Sequence, residues 1–142
     1  MTPVFCRVKH DPESGRYGDC LRACVASMLD MEANPEAVPH FAHDGASADV
    51  VNERLRQYLT EHHGLAPWWA HYDPDLSLAE VLEAFKGGGG PHFMLFGQTA
   101  DGGDHVVICR DGAVAHDPAW WRVPLAKPGS HGAWSVLVFA RL

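Results

Sequence analysis

The sequence predicts an α+β domain, with a helical first half and an antiparallel β-sheet in the second. Three observations carry that expectation. Apolar residues recur at helical spacing up to about residue 86, and capping residues stand ahead of those runs. After Pro91 the apolar residues come instead as short β-rich runs broken by Gly, Asp and Pro. Helices first and strands second is the order of a segregated α+β architecture. At 142 residues the chain fits one domain, residues 1–142, and can bury roughly 68–70% of the surface its unfolded chain exposes. With 46% hydrophobic residues it needs no disulfide framework to do so.

The elements follow in order. His10 to Asp19 is polar and contains Pro12, Gly15 and Gly18, so it reads as a loop. Cys20 to Met31 reads as a helix whose apolar stripe is Leu21, Cys24, Val25, Met28 and Leu29, with Asp19 at the N-cap. Asn34-Pro35-Glu36 opens a short helix that Pro39 interrupts. A longer helix runs from about Ser47 to His63, where Gly64 ends it. Its apolar face is Val51, Leu55, Tyr58, Leu59 and His62. Ala66 to Tyr72 reads as a strand, and Ser77 to Lys86 as a helix with a Ser77/Glu80 capping box. The segments PHFMLFGQT, HVVICRDGAVAHDP and AWSVLVFARL then supply the sheet.

Composition excludes several functions. The net charge is −7 with neutral histidines, and the 11 basic residues form no run. That argues against nucleic-acid binding and against a polybasic membrane anchor. The N-terminus lacks a charged segment followed by an apolar one, and no stretch approaches about 18 apolar residues. The expectation is a soluble, cytoplasmic protein; the oligomeric state is not written in the sequence. Four cysteines in a reducing compartment are expected as thiols, with Cys6, Cys24 and Cys109 as small core residues. His40, His43, Asp44, His62 and His63 match no zinc-ligand spacing, so no metal and no cofactor is expected. Gly87 to Gly90 is followed by a strand rather than by Lys-Ser/Thr and reads as a connection, not a phosphate loop.

One cysteine stands apart. Cys20 opens its helix, where the backbone amides and the helix dipole favour the thiolate, the reactive form of a thiol. Gly18 ahead of it allows a close turn of the chain. A thiolate nucleophile needs a base, and His105 with Asp117 is the pair that hairpin geometry selects. Cys109-Arg110-Asp111-Gly112-Ala113 is a hairpin signal. With a three-residue loop Cys109 faces Ala113, and counting outward His105 then faces Asp117. With a two-residue Asp111-Gly112 turn the register shifts by one and separates the two side chains. The Cys20 N–H supplies one oxyanion donor, and His10 is the candidate for the second, with Tyr17 behind it. Asp19, Trp120 and Trp121 are candidates for the wall of a substrate cleft.

Tyr17-Gly18-Asp19-Cys20-Leu21-Arg22-Ala23-Cys24-Val25-Ala26-Ser27, followed by Val38-Pro39-His40-Phe41, resembles the N-terminal signature of small papain-like cysteine peptidases of bacteria and phages, related to the C39-type peptidases. His105-Val106-Val107-Ile108 and Val114-Ala115-His116-Asp117-Pro118 resemble that family's second and third catalytic motifs. The resemblance implies a papain-like α+β fold and a Cys20–His105–Asp117 triad. It also implies hydrolysis of an amide, peptide or isopeptide bond through a thioacyl intermediate, on a peptide or protein substrate. The family usually places a glutamine shortly before the cysteine; here Gln57 and Gln98 both lie downstream. Two other readings stand beside this one. The same triad serves an acyltransferase or a deamidase, and the scaffold also serves as a catalytically weak binding module for a partner protein.

Overall fold

A computed structural model describes all residues, Met1 to Leu142. It contains helices α1 (Cys20–Met28), α2 (Ala48–His63) and α3 (Leu78–Glu83). The strands are β1 (Leu65–Tyr72), β2 (Phe93–Thr99), β3 (Asp104–Arg110), β4 (Ala113–His116), β5 (Leu125–Lys127) and β6 (Trp134–Arg141). The pairings among β2 to β6 are antiparallel, so the class is α+β. Two compact units divide the chain: one comprises Met1–Trp68 with Phe139–Leu142, the other Trp69–Val138.

The first unit is organised around α1. The N-terminal segment runs antiparallel to this helix and is tied to both of its ends. Thr2 and Val4 donate their N–H groups to the Ser27 carbonyl (3.1 Å) and to Ser27 Oγ (2.8 Å). Arg7 and Val8 donate theirs to the Asp19 carboxylate, each at 3.0 Å to Oδ1. An extended segment without a sheet partner must satisfy its amides elsewhere, and these two side chains do so. The helix ends three residues earlier than expected. Asp30 takes a left-handed φ of 54°, and the Met31 N–H reaches back to the Ala26 carbonyl, which closes a Schellman turn. Its expected apolar stripe is also broader: residues 23–27 are all buried, Ser27 included, while Leu21, Met28 and Leu29 are only half-buried. α2 buries Val51, Leu55, Tyr58 and Leu59 as its spacing predicts, and Gly64 at φ 61° ends it. His62 departs from that face. It is exposed and packs its ring on Tyr58 at 5.2 Å.

In the second unit, α3 carries the expected capping box. The Glu80 N–H donates to Ser77 Oγ, and the Ser77 N–H donates back to Glu80 Oε1. Val81 of α3 packs with Phe93, Leu95, Val107, Cys109, Leu125, Trp134 and Val136 in one apolar cluster. The sheet order is β1-β6-β2-β3-β4, so the last strand lies inside the sheet rather than at its edge. β5 pairs with β2 and has no counterpart in the sequence reading, because three residues are too few to show a period. Gly97 on β2 is required by packing. A Cβ there would stand 2.6 Å from the Trp134 ring and 2.7 Å from the Lys127 carbonyl.

Candidate functional site

The His105–Asp117 pair is built by the β3–β4 hairpin, by a route that differs from the expected one. The connection is the two-residue turn Asp111-Gly112, with φ of 52° and 81°, and Arg110 pairs with Ala113. Alone, that turn separates His105 and Asp117 onto opposite faces. The ladder then slips between Ile108 and Cys109: Cys109 pairs with Val114, but Ile108 pairs with His116. This bulge at Ala115 shifts the count by one more residue and returns Asp117 to the face of His105. The two are diagonal neighbours rather than direct partners, and Asp117 lies just beyond the end of β4.

Their side chains meet closely. His105 Nε2 and Asp117 Oδ1 are 2.7 Å apart. The same carboxylate oxygen accepts the Ala119 N–H at 3.0 Å, which fixes its direction. The imidazole side chain has no exposed surface, and that of the carboxylate is 26% exposed. The contact through Nε2 leaves Nδ1 as the other ring nitrogen of His105, and that atom is buried.

Cys20 is the first residue of α1, as expected, and is half-buried; Cys6, Cys24 and Cys109 are buried. All four cysteines are thiols rather than disulfides. Burial pushes the Cys109 thiol up to about 12. Asp19 is not the side-chain cap of α1 that its position predicts. Its carboxylate turns away to take the Arg7 and Val8 N–H groups, and Arg22 binds it at 2.6 Å. At 2% exposure Asp19 lines a small pocket with Arg7, Arg22 and Glu36, and it is the internal anchor of the segment that precedes Cys20.

That anchoring brings Cys6, buried as its apolar neighbours predict, against Cys20. Cys6 lies between Val4, tied to the far end of α1, and Arg7, tied to its start. Its thiol donates to Cys20 Sγ across 3.0 Å. The hydrogen bond to Cys20, then burial, then the charges of Cys20 and Asp19 raise the Cys6 thiol far above its ordinary value. Cys6 therefore keeps its proton. Spacing gave no sign of this, since 14 residues separate the two cysteines and the intervening loop has no period.

His10 is held by the loop that it opens. Its Nδ1 accepts the Gly18 N–H at 3.0 Å, so the neutral ring carries its proton on Nε2 as a donor. A Cβ on Gly18 would come within 3.1 Å of His10 Cβ, which is the close approach that the glycine permits. Tyr17 is less suited to donate to an oxyanion. Its ring lies on the Gly45 backbone, where a Cβ would fall 2.5 Å from the ring, and its carbonyl binds His40 Nε2 at 2.8 Å. Trp120 and Trp121 follow Asp117 and meet edge to face at 5.7 Å; Trp120 is 74% exposed.

The histidine-rich stretch is distributed among other tasks. His40 binds the Tyr17 carbonyl, Asp44 makes a two-pronged pair with Arg54 (2.8 and 2.9 Å), and His63 binds the Tyr58 hydroxyl at 3.0 Å. His40, His43 and His62 also line a cavity of about 280 Å³ with Tyr58 and Glu61. No three His, Cys, Asp or Glu side chains converge as metal ligands, and no helix is long and apolar enough to cross a membrane.

Compared with known proteins, the chain matches no family model, no curated protein and no solved structure. The class that fold and site define together is an α+β protein with a carboxylate-held histidine and a helix-start cysteine.

Proposed function

We propose that this chain is a papain-like cysteine hydrolase of the cytoplasm, acting on an amide, peptide or isopeptide bond. The observation that carries the reading is the His105–Asp117 pair. Cys20 supports it, being half-buried at the start of α1 while the other cysteines are buried. In the proposed reaction the Cys20 thiolate attacks the substrate carbonyl carbon, forming a C–S bond and an oxyanion. The Cys20 N–H and the Nε2–H of His10 donate to that oxygen. The His105 imidazolium then gives its proton to the leaving nitrogen as the C–N bond breaks, leaving a thioester on Cys20. Water, deprotonated by His105, attacks the thioester and restores the thiolate. Asp117 keeps the imidazole in one orientation and stabilises its charged form.

A small activated ester tests the mechanism without knowledge of the natural substrate. Mixing with p-nitrophenyl acetate is expected to release nitrophenolate in a burst of one equivalent, with the acetyl group on the YGDCLR peptide that contains Cys20. Acetyl groups spread over several cysteines, or a burst that survives in Cys20→Ala, would overturn the reading. Adding a primary amine separates the two outcomes of one acyl-enzyme. Partition to the amide marks a transferase, and partition to acetate marks a hydrolase or deamidase. The exposed Trp120 favours a second reading, a binding module for a partner protein. That reading requires Cys20→Ala to keep the full biological effect.

A further inference from the structure

We propose that Cys6 and Cys20 form a peroxide-reactive dithiol site, which closes to an intramolecular disulfide and reopens with a dithiol reductant. The geometry lies wholly within the first unit and does not rest on the hydrolase reading.

Three features carry it. The sulfurs stand 3.0 Å apart, so a movement of about 1 Å reaches the ~2.05 Å of a disulfide bond. The segment that carries Cys6 is clamped to α1 on both sides of that residue. Val4 is held by Ser27, and Arg7 and Val8 are held by the buried Asp19, so the two sulfurs are kept side by side. The two thiols also differ as a reacting pair must. Cys20 is half-buried and meets solvent, whereas Cys6 is buried and protonated and cannot compete for oxidant.

The chemistry balances with hydrogen peroxide as oxidant. The Cys20 thiolate attacks one peroxide oxygen. An S–O bond forms, the O–O bond breaks, and hydroxide leaves to take up a proton as water. Cys20 is now a sulfenic acid and has lost the negative charge that helped to hold the proton on Cys6. The Cys6 sulfur then attacks Cys20 Sγ. The S–S bond forms, the S–O bond breaks, and the departing hydroxide takes the Cys6 proton as a second water. Two thiols are oxidised, and one peroxide is reduced to two waters. Formation of the disulfide removes the Cys20 nucleophile reversibly and spares it the sulfinic and sulfonic states.

Trypsin places all four cysteines in different peptides, with Cys6 in MTPVFCR and Cys20 in YGDCLR. The reduced full-length protein is treated with a few equivalents of hydrogen peroxide, blocked with N-ethylmaleimide, digested and analysed by mass. The expected product is MTPVFCR joined to YGDCLR with the loss of two hydrogens, reversed by dithiothreitol. In Cys6→Ser and Cys6→Ala the link is absent, and Cys20 sulfinate rises about ten-fold or more. Overturning results are a wild-type Cys20 that overoxidises as fast as in the Cys6 variants, or one that links to Cys24 or to a second chain. The ester burst is read on the same samples. A disulfide without a burst leaves this proposal standing and the hydrolase reading fallen; a burst without the disulfide does the reverse.

Discussion

The two units of this protein position their candidate site residues by opposite means. In the sheet unit, His105 and Asp117 are set by backbone register: a tight turn and one bulge bring an imidazole and a carboxylate to 2.7 Å. In the helical unit, the surroundings of Cys20 are set by side chains, as Asp19 and Ser27 bind the amides of a segment that has no ladder of its own. Register survives most surface changes and fails when a residue count changes. A side-chain clamp fails when a single carboxylate is lost.

Substitutions break that comparison in graded steps. The largest expected effect is chemical. His105→Ala should lower the ester acylation rate by about 10²–10⁴-fold, and Asp117→Asn should do so to a similar or lesser degree. Stopped-flow nitrophenolate release reads both. Asp19→Ala should act on stability instead. It strands two backbone amides and leaves the Arg22 guanidinium without its carboxylate, for a loss of about 3–5 kcal/mol by urea titration. Gly97→Ala forces a methyl group against the Trp134 ring and the Lys127 carbonyl, directly opposite His105 on the neighbouring strand, and should cost about 1–3 kcal/mol.

The smallest expected effect lies at alkaline pH. Cys109 stays protonated in the folded protein up to about 12, but ionises from about 9.0 when unfolded. Between those values the native state binds more protons than the unfolded one, so this contribution to stability falls as pH rises. Urea midpoints measured from pH 8 upward, up to about 11, should decline less steeply in Cys109→Ala than in the wild type.

The same contrast explains what the sequence made legible. Caps and periods are local, so α2, α3 and the principal strands stand close to where their residues predict them. The His105–Asp117 pair was reached through the wrong loop. The three-residue count and the actual two-residue turn with a bulge place both side chains on the same face, because each preserves the parity. Nothing local marks Ala115 as the bulged residue. Cys6 was hidden for a different reason. Its partner is chosen by a buried carboxylate 13 residues further along the chain, and Asp19 has the features of a helix cap until its hydrogen bonds are seen. Long-range side-chain clamps leave no period to read. Cys20 itself was legible because a cysteine at the first position of a helix is a local feature.

The most direct measurement of the central claim is the alkylation rate of Cys20 by iodoacetamide as a function of pH, in the wild type and in His105→Ala. A thiol activated by the helix start and by a carboxylate-held imidazole should react along a curve with its midpoint below about 8.5. It should outpace Cys109 at neutral pH, and the curve should shift upward in His105→Ala. A Cys20 that reacts no faster than Cys109, or whose pH curve is the same with and without His105, would contradict the account.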